Sequence, residues 1–124
     1  WTIFIRFLKP TTGTTILDLE TLTTLEGQIG TASTVKVVNT FLDQLPDFIA
    51  ELKSLTELKN LTALRHLGHK FKSSSFTVGA SRLGELCRHV ESVESIEAIV
   101  KYLEEIDLAI NQTTLQLREY IAAK

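Results

Sequence analysis

The sequence predicts an all-α protein, an up-and-down antiparallel four-helix bundle with a short N-terminal capping helix. Three observations carry that expectation. Apolar residues recur at three- and four-residue spacing through most of the chain beyond residue 16. The connections between these stretches are short, so sequential helices are antiparallel neighbours that bury each other's apolar stripes. With 44% apolar and 23% charged residues in 124 positions, one modest core can be buried unaided.

The first fifteen residues stand apart. WTIFIRFL alternates like a short strand, Pro10 ends it, and TTGTT is a polar link. Residues 1–15 therefore read as an extension or the remnant of a linker, and residues 16–124 as the domain. A chain that opens on Trp1 and holds no methionine reads as a piece of a larger protein. From Leu17 to Gly30, Leu19, Leu22 and Leu25 share a helical face, and Gly27 and Gly30 favour an ending. This is the capping helix.

A longer pattern runs from about Ser33 to Leu55, through Val38, Phe41, Leu42, Leu45, Phe48, Ile49 and Leu52. Ser33 or Thr34 can cap it. Pro46 deprives one carbonyl of its donor, yet the pattern resumes in phase, which predicts one bent helix. The third helix begins at Asn60, a good N-cap, and runs into a triple serine. The fourth begins near Gly79 or Ala80, with Leu83, Leu86, Cys87 and Val90 facing inward. The last begins near Ser95, where Glu94 and Glu97 favour the positive end, and carries Ile96, Ile99, Val100, Leu103, Ile106, Ile110, Leu117 and Ile121.

Composition excludes several functions. A net charge of −2 gives no reason to expect nucleic acid or an anionic membrane as partner. A single cysteine, Cys87, precludes an intrachain disulfide framework and suits a reducing compartment. WTIFIRFL is too short to span a bilayer and is interrupted by Arg6, so a cytoplasmic location is expected.

The chemistry concentrates in LRHLGHKFKSSSFTVGA, Leu64 to Ala80. With Leu61 as zero and about 100° per residue, Leu64, Leu67, Gly68, Phe71 and Val78 share one inward sector. His69 falls at about 80° and His66 at about 140°, on the outward side with Arg65, Lys72 and Ser73. An outward histidine is often plain surface. A metal site lacks ligands, since the same face supplies no Cys, Asp or Glu. A hydrolytic triad needs a carboxylate that only the fold could bring. The arrangement suits an anion placed on the ring. A neutral imidazole is a nucleophile, and a phosphoryl group on His69 would lie beside Lys72, one turn along, and within reach of Arg65.

Those residues also resemble the signature of histidine-containing phosphotransfer domains, the HPt modules of two-component phosphorelays. The match runs through His69, Phe71, Lys72, Ser73, Ser74, Ser75, Gly79 and Ala80, with Leu83 and Cys87 following. LDLETL, FLDQLPDF and the final helix are similar as well. Ser73 departs from the pattern, standing where the family usually has glycine, and weakens partner access without abolishing transfer. His66 is the competing site, but Lys72 lies two turns from it.

The resemblance implies a phosphotransfer role. His69 accepts a phosphoryl group from a phospho-aspartate of a receiver domain and passes it to a second receiver. The partners are receiver domains of response regulators or of a hybrid histidine kinase. The receiver supplies Mg2+, and the module itself needs no cofactor or metal. It would act as a monomeric phosphohistidine carrier rather than an ordinary enzyme, in the cytoplasm or as part of a membrane-bound sensor kinase. Ser73, Phe76, Leu22, Val37 and Thr40 are the docking candidates, with the alternative that Phe76 turns inward over the bundle end. Gly68 and Gly79 are structural, one permitting close helix approach and the other a turn. RFLKP faintly resembles the end of a receiver domain. The rival readings are a non-catalytic adaptor of the same fold and a kinase dimerisation module.

Overall fold

The computed structural model describes residues 15–124, which form five α-helices and no strand. They are α1 (Leu19–Ile29), α2 (Thr31–Glu57), α3 (Leu61–Thr77), α4 (Ser81–Glu91) and α5 (Ile96–Ala122). α2 neighbours both α3 and α5, and α4 neighbours the same two, so these four helices close a ring around one core, with α1 against α2. This is the expected bundle with its capping helix. The strand-like WTIFIRFL and the RFLKP stretch lie outside the described residues.

Local chemistry sets the helix ends. Asp18 caps α1, accepting from the Glu20 amide at 3.1 Å and the Thr21 hydroxyl at 3.0 Å. Gly30, with φ of 89°, both ends α1 and opens α2. The second helix therefore starts at Thr31 rather than Ser33, without a side-chain cap. The Thr34 hydroxyl turns back to the Gly30 carbonyl at 2.8 Å. Pro46 lies within α2, which continues through it as one element. Asn60 caps α3 through the Ala63 amide at 3.1 Å, and Ser95 caps α5 through the Ala98 amide at 3.2 Å.

The core is mostly apolar, with Thr34, Ser75 and Thr113 buried among its side chains, and it includes Phe71. Its ring stacks on Phe48 at 4.2 Å and Phe41 at 5.4 Å between centroids, which locks α3 against α2. Leu22, Leu52, Leu64, Leu83, Leu86, Ile99, Ile106 and Leu117 are wholly buried around them. Buried phenylalanines and leucines of this kind each contribute roughly 1.5–3 kcal/mol by removal from water. No described helix is long and apolar enough to cross a membrane.

Two contacts tie the capping helix down. The Asp18 amide donates to the Gly79 carbonyl at 2.7 Å. Gly79 has φ of 77°, and a Cβ there would stand 2.6 Å from the Asp18 carbonyl oxygen. At the other end, Glu26 accepts from the Tyr120 hydroxyl and pairs with Lys124 at 2.9 Å, whose ammonium lies 4.7 Å from the Tyr120 ring centre. The Lys124 hydrogen bond, then that of Tyr120, holds the Glu26 carboxyl down at about 2. Burial first, then Glu26, pushes the Tyr120 phenol up to about 12.

Gly79→Val should lower stability by about 2–3 kcal/mol, combining a left-handed backbone with a clash on Asp18, and thermal melts would measure it. Because the folded-state value of Glu26 lies below its ordinary one, its stabilisation is complete above about pH 4.5 and disappears as pH falls toward 2. Glu26→Gln should therefore melt below the parent protein at neutral pH, and the gap should close on acidification.

Candidate functional site

The site is built where α3 and α4 approach most closely. Gly68 faces α4, and a Cβ on it would stand 2.8 Å from both the Cys87 carbonyl oxygen and the Glu91 amide nitrogen. Only a residue without a side chain allows two helix backbones to meet there. That contact brings Glu91, the last residue of α4, beside His69, the residue after Gly68.

His69 stands on the outward side of α3 with 65% of its side chain exposed. Its Nδ1 is hydrogen-bonded to Glu91 Oε2. The other carboxylate oxygen accepts from Lys72 Nζ at 2.7 Å. Hydrogen bonds from Lys72 first and His69 second hold the Glu91 carboxyl below the usual carboxylate range. An ionised carboxylate can only accept, so Nδ1 carries the ring proton and donates it. The lone pair then belongs to Nε2. One acidic residue thus orients the ring, selects its tautomer and pairs with the neighbouring cation.

Lys72 is positioned one turn beyond His69, its side chain about one-quarter exposed, as the helical spacing predicts. Arg65 is exposed on the same helix but is not held at the imidazole. Its Nε donates to the Val93 carbonyl at 2.7 Å, fixing the guanidinium to the α4–α5 connection. His66 is exposed as well and has no carboxylate partner among the described residues. No group of three His, Cys, Asp or Glu side chains suited to a metal ion occurs among the described residues.

Around the ring, the docking candidates separate. Ser73 is exposed and shares an open groove with Lys36, Val37 and Thr40 of α2 and Thr77 of α3, floored by Phe41. Leu22 is not at a surface: it is 0% exposed and belongs to the core, the one buried residue of α1, while Leu19 and Ile29 of the same helix stay exposed. Phe76 lies on the exposed side of α3, which persists through Thr77, and does not turn inward over the bundle end. It is 40% exposed and lies across Gly84 of α4, where a Cβ would stand 2.7 Å from the ring. Cys87 is buried, and burial pushes its thiol up to about 12, so it is inert filling.

Glu91 is the functional residue that reasoning along the chain misses. It lies 22 positions from His69 and belongs to a different helix. The signal available was Gly68, an inward glycine next to an outward histidine, which marks a second helix backbone arriving at that point.

A family model described as Hpt domain matches residues 36–123, more than half of the chain. Among solved structures, the chain is similar to histidine-containing phosphotransfer protein B from Pseudomonas aeruginosa PAO1. The TM-score is 0.79 at 20% identity, over 88% of this chain and 96% of that one, a likeness of fold. Comparison with curated proteins gives no match.

Gly68→Ala tests the close approach directly. The added methyl group must displace α4, at about 1–3 kcal/mol of stability. The same variant should weaken the His69–Glu91 hydrogen bond, read as a change in the imidazole 15N shifts of His69.

Proposed function

The chain belongs to the Hpt domain family, and on that premise we propose that His69 carries a phosphoryl group between receiver-domain aspartates. The observation that supports this most strongly is the exposed ring with its proton committed at Nδ1 to Glu91. That leaves Nε2 nucleophilic and pointed away from the bundle. In the first step the Nε2 lone pair attacks phosphorus, the N–P bond forms, and the P–O bond to the donor aspartate breaks with its electron pair leaving on the carboxylate. The Nδ1 proton stays where it is, so the phosphorylated ring is a cation held against Glu91. In the second step a receiver carboxylate attacks phosphorus and the N–P electron pair returns to Nε2. Phosphoryl transfer of this kind depends on positioning and charge neutralisation rather than on covalent help from the surroundings. The receiver brings its acidic cluster and Mg2+. Lys72 supplies the positive charge on this side, and Arg65 stands a turn before the ring with its guanidinium fixed.

Docking of the receiver uses the groove beside Ser73, with Val37, Thr40 and the edge of Phe76 as its contacts. Serine at position 73 keeps that surface low, though less open than glycine would. Such an encounter is transient and buries a modest area. The module acts as a monomer in the cytoplasm, on its own or joined to a hybrid histidine kinase. The competing reading is a receiver-binding adaptor that transfers nothing.

Incubation with a phosphorylated receiver and Mg2+ separates the two. The parent protein should acquire an acid-labile, base-stable phosphate mapping to His69. His69→Gln should lose all of it while binding the receiver with unchanged affinity. A label on His66 or on no residue at all would overturn the assignment.

A further inference from the structure

The last helix carries an apolar face that the bundle does not use. α5 buries Ile99, Ile106, Ala109, Ile110, Thr113 and Leu117 against its neighbours. On its outward side Val100 is 55% exposed, Leu108 53% and Leu115 63%, three of the seven large apolar residues that stand in water among the described residues. Leu108 and Leu115 are one heptad apart, so they point within about 20° of each other, with the exposed Asn111 between them. Single apolar residues at a surface are ordinary, whereas an aligned pair on a long helix is a seam along which helices associate.

The charges flanking this seam say what covers it. Lys101 and Glu104 lie before the leucines, Arg118 and Glu119 after them. All four are exposed, and none has an ion-pair partner among the described residues. Glu104 and Arg118 each stand seven residues, roughly 10 Å, from Asn111. Turned end for end about Asn111, a second α5 sets its Arg118 against Glu104 and its Glu104 against Arg118, and brings Lys101 opposite Glu119 as well. Leu108 of each copy then meets Leu115 of the other. A parallel copy would set Glu104 on Glu104 and Arg118 on Arg118, which like charges oppose. The face is thus complementary to itself under a two-fold axis, the requirement for an isologous dimer.

We propose that α5 pairs antiparallel with α5 of a second copy, with the two-fold axis beside Asn111. Two leucines and a few ion pairs from each copy make a small interface, so the association is weak and concentration-dependent. α3 and α5 occupy opposite corners of the helix ring, since each neighbours α2 and α4. Pairing through α5 therefore leaves both His69 rings outward, on opposite sides of the dimer. One copy completes the carrier step alone, and the pair is a second state that presents two such rings at once.

Sedimentation equilibrium of the intact chain reads the association directly. Its mass should rise from 13.9 kDa toward twice that value as the concentration increases into the high-micromolar range. Leu115→Glu, a surface change that leaves the core alone, should hold the chain at the monomer mass with an unchanged melting temperature. Arg118→Glu should weaken pairing about tenfold, since the new carboxylate meets Glu104 twice across the axis. Adding Glu104→Arg to it should restore the association. Asn111→Cys should form a disulfide-linked dimer on mild oxidation, whereas the parent should not, its Cys87 being buried. A monomer mass at every concentration, association that survives Leu115→Glu, or a double swap that fails to recover would overturn the proposal. So would loss of receiver binding in Leu115→Glu, which would give the face to that partner instead.

Discussion

The functional architecture depends on one steric constraint, the contact between the α3 and α4 backbones at Gly68. There is no room for even a methyl group between Gly68 and the Cys87 carbonyl. Helices bearing ordinary side chains pack about 8–10 Å apart, and only small residues permit less. At normal separation the carboxylate of Glu91 would fall short of the imidazole. The ring would then be one more surface histidine, free to adopt either tautomer. Packing energy from buried leucines and the Phe41–Phe71–Phe48 stack is thus converted into the placement of two polar atoms on the outside.

Charge is distributed to the same end. α3 carries Arg65, His66, His69, Lys70 and Lys72 and no acidic residue along its whole length. Its outward face is therefore cationic, with a net charge of −2 over the chain as a whole, and it suits an acidic partner. Glu91 enters that face from another helix as its local counter-ion. A carboxylate on α3 itself would have reduced the positive field along the whole approach. Delivered from α4, it neutralises Lys72 locally and leaves the field on either side intact.

Stability and chemistry are handled by different parts of the chain. The capping helix is secured by Asp18 against Gly79 at one end and by the Glu26–Tyr120–Lys124 cluster at the other, both away from the imidazole. The His69 ring itself contributes almost nothing to the core, since its side chain is mostly in water. Such a division leaves the exposed ring free of any part in the packing beneath it.

Much of this was legible along the chain, because helix formation and its ends are local events. The three- and four-residue apolar rhythm, the cap at Asn60, the start near Ser95 and the in-phase passage through Pro46 predicted the helices. The same rhythm put His69 outside and Lys72 one turn beyond it. The contact of Phe76 with Gly84 escaped because it is made on the next helix, and the burial of Leu22 because the face that α1 buries is chosen by what it packs against. Glu91 escaped for the deeper reason that 22 residues and a turn separate it from His69. Sequence by itself determined which residues are helical, which face is wet and which imidazole stands there. Only the tertiary structure decided which nitrogen of that imidazole holds the proton, because that depends on the distance between two helices, and no spacing within one helix encodes it.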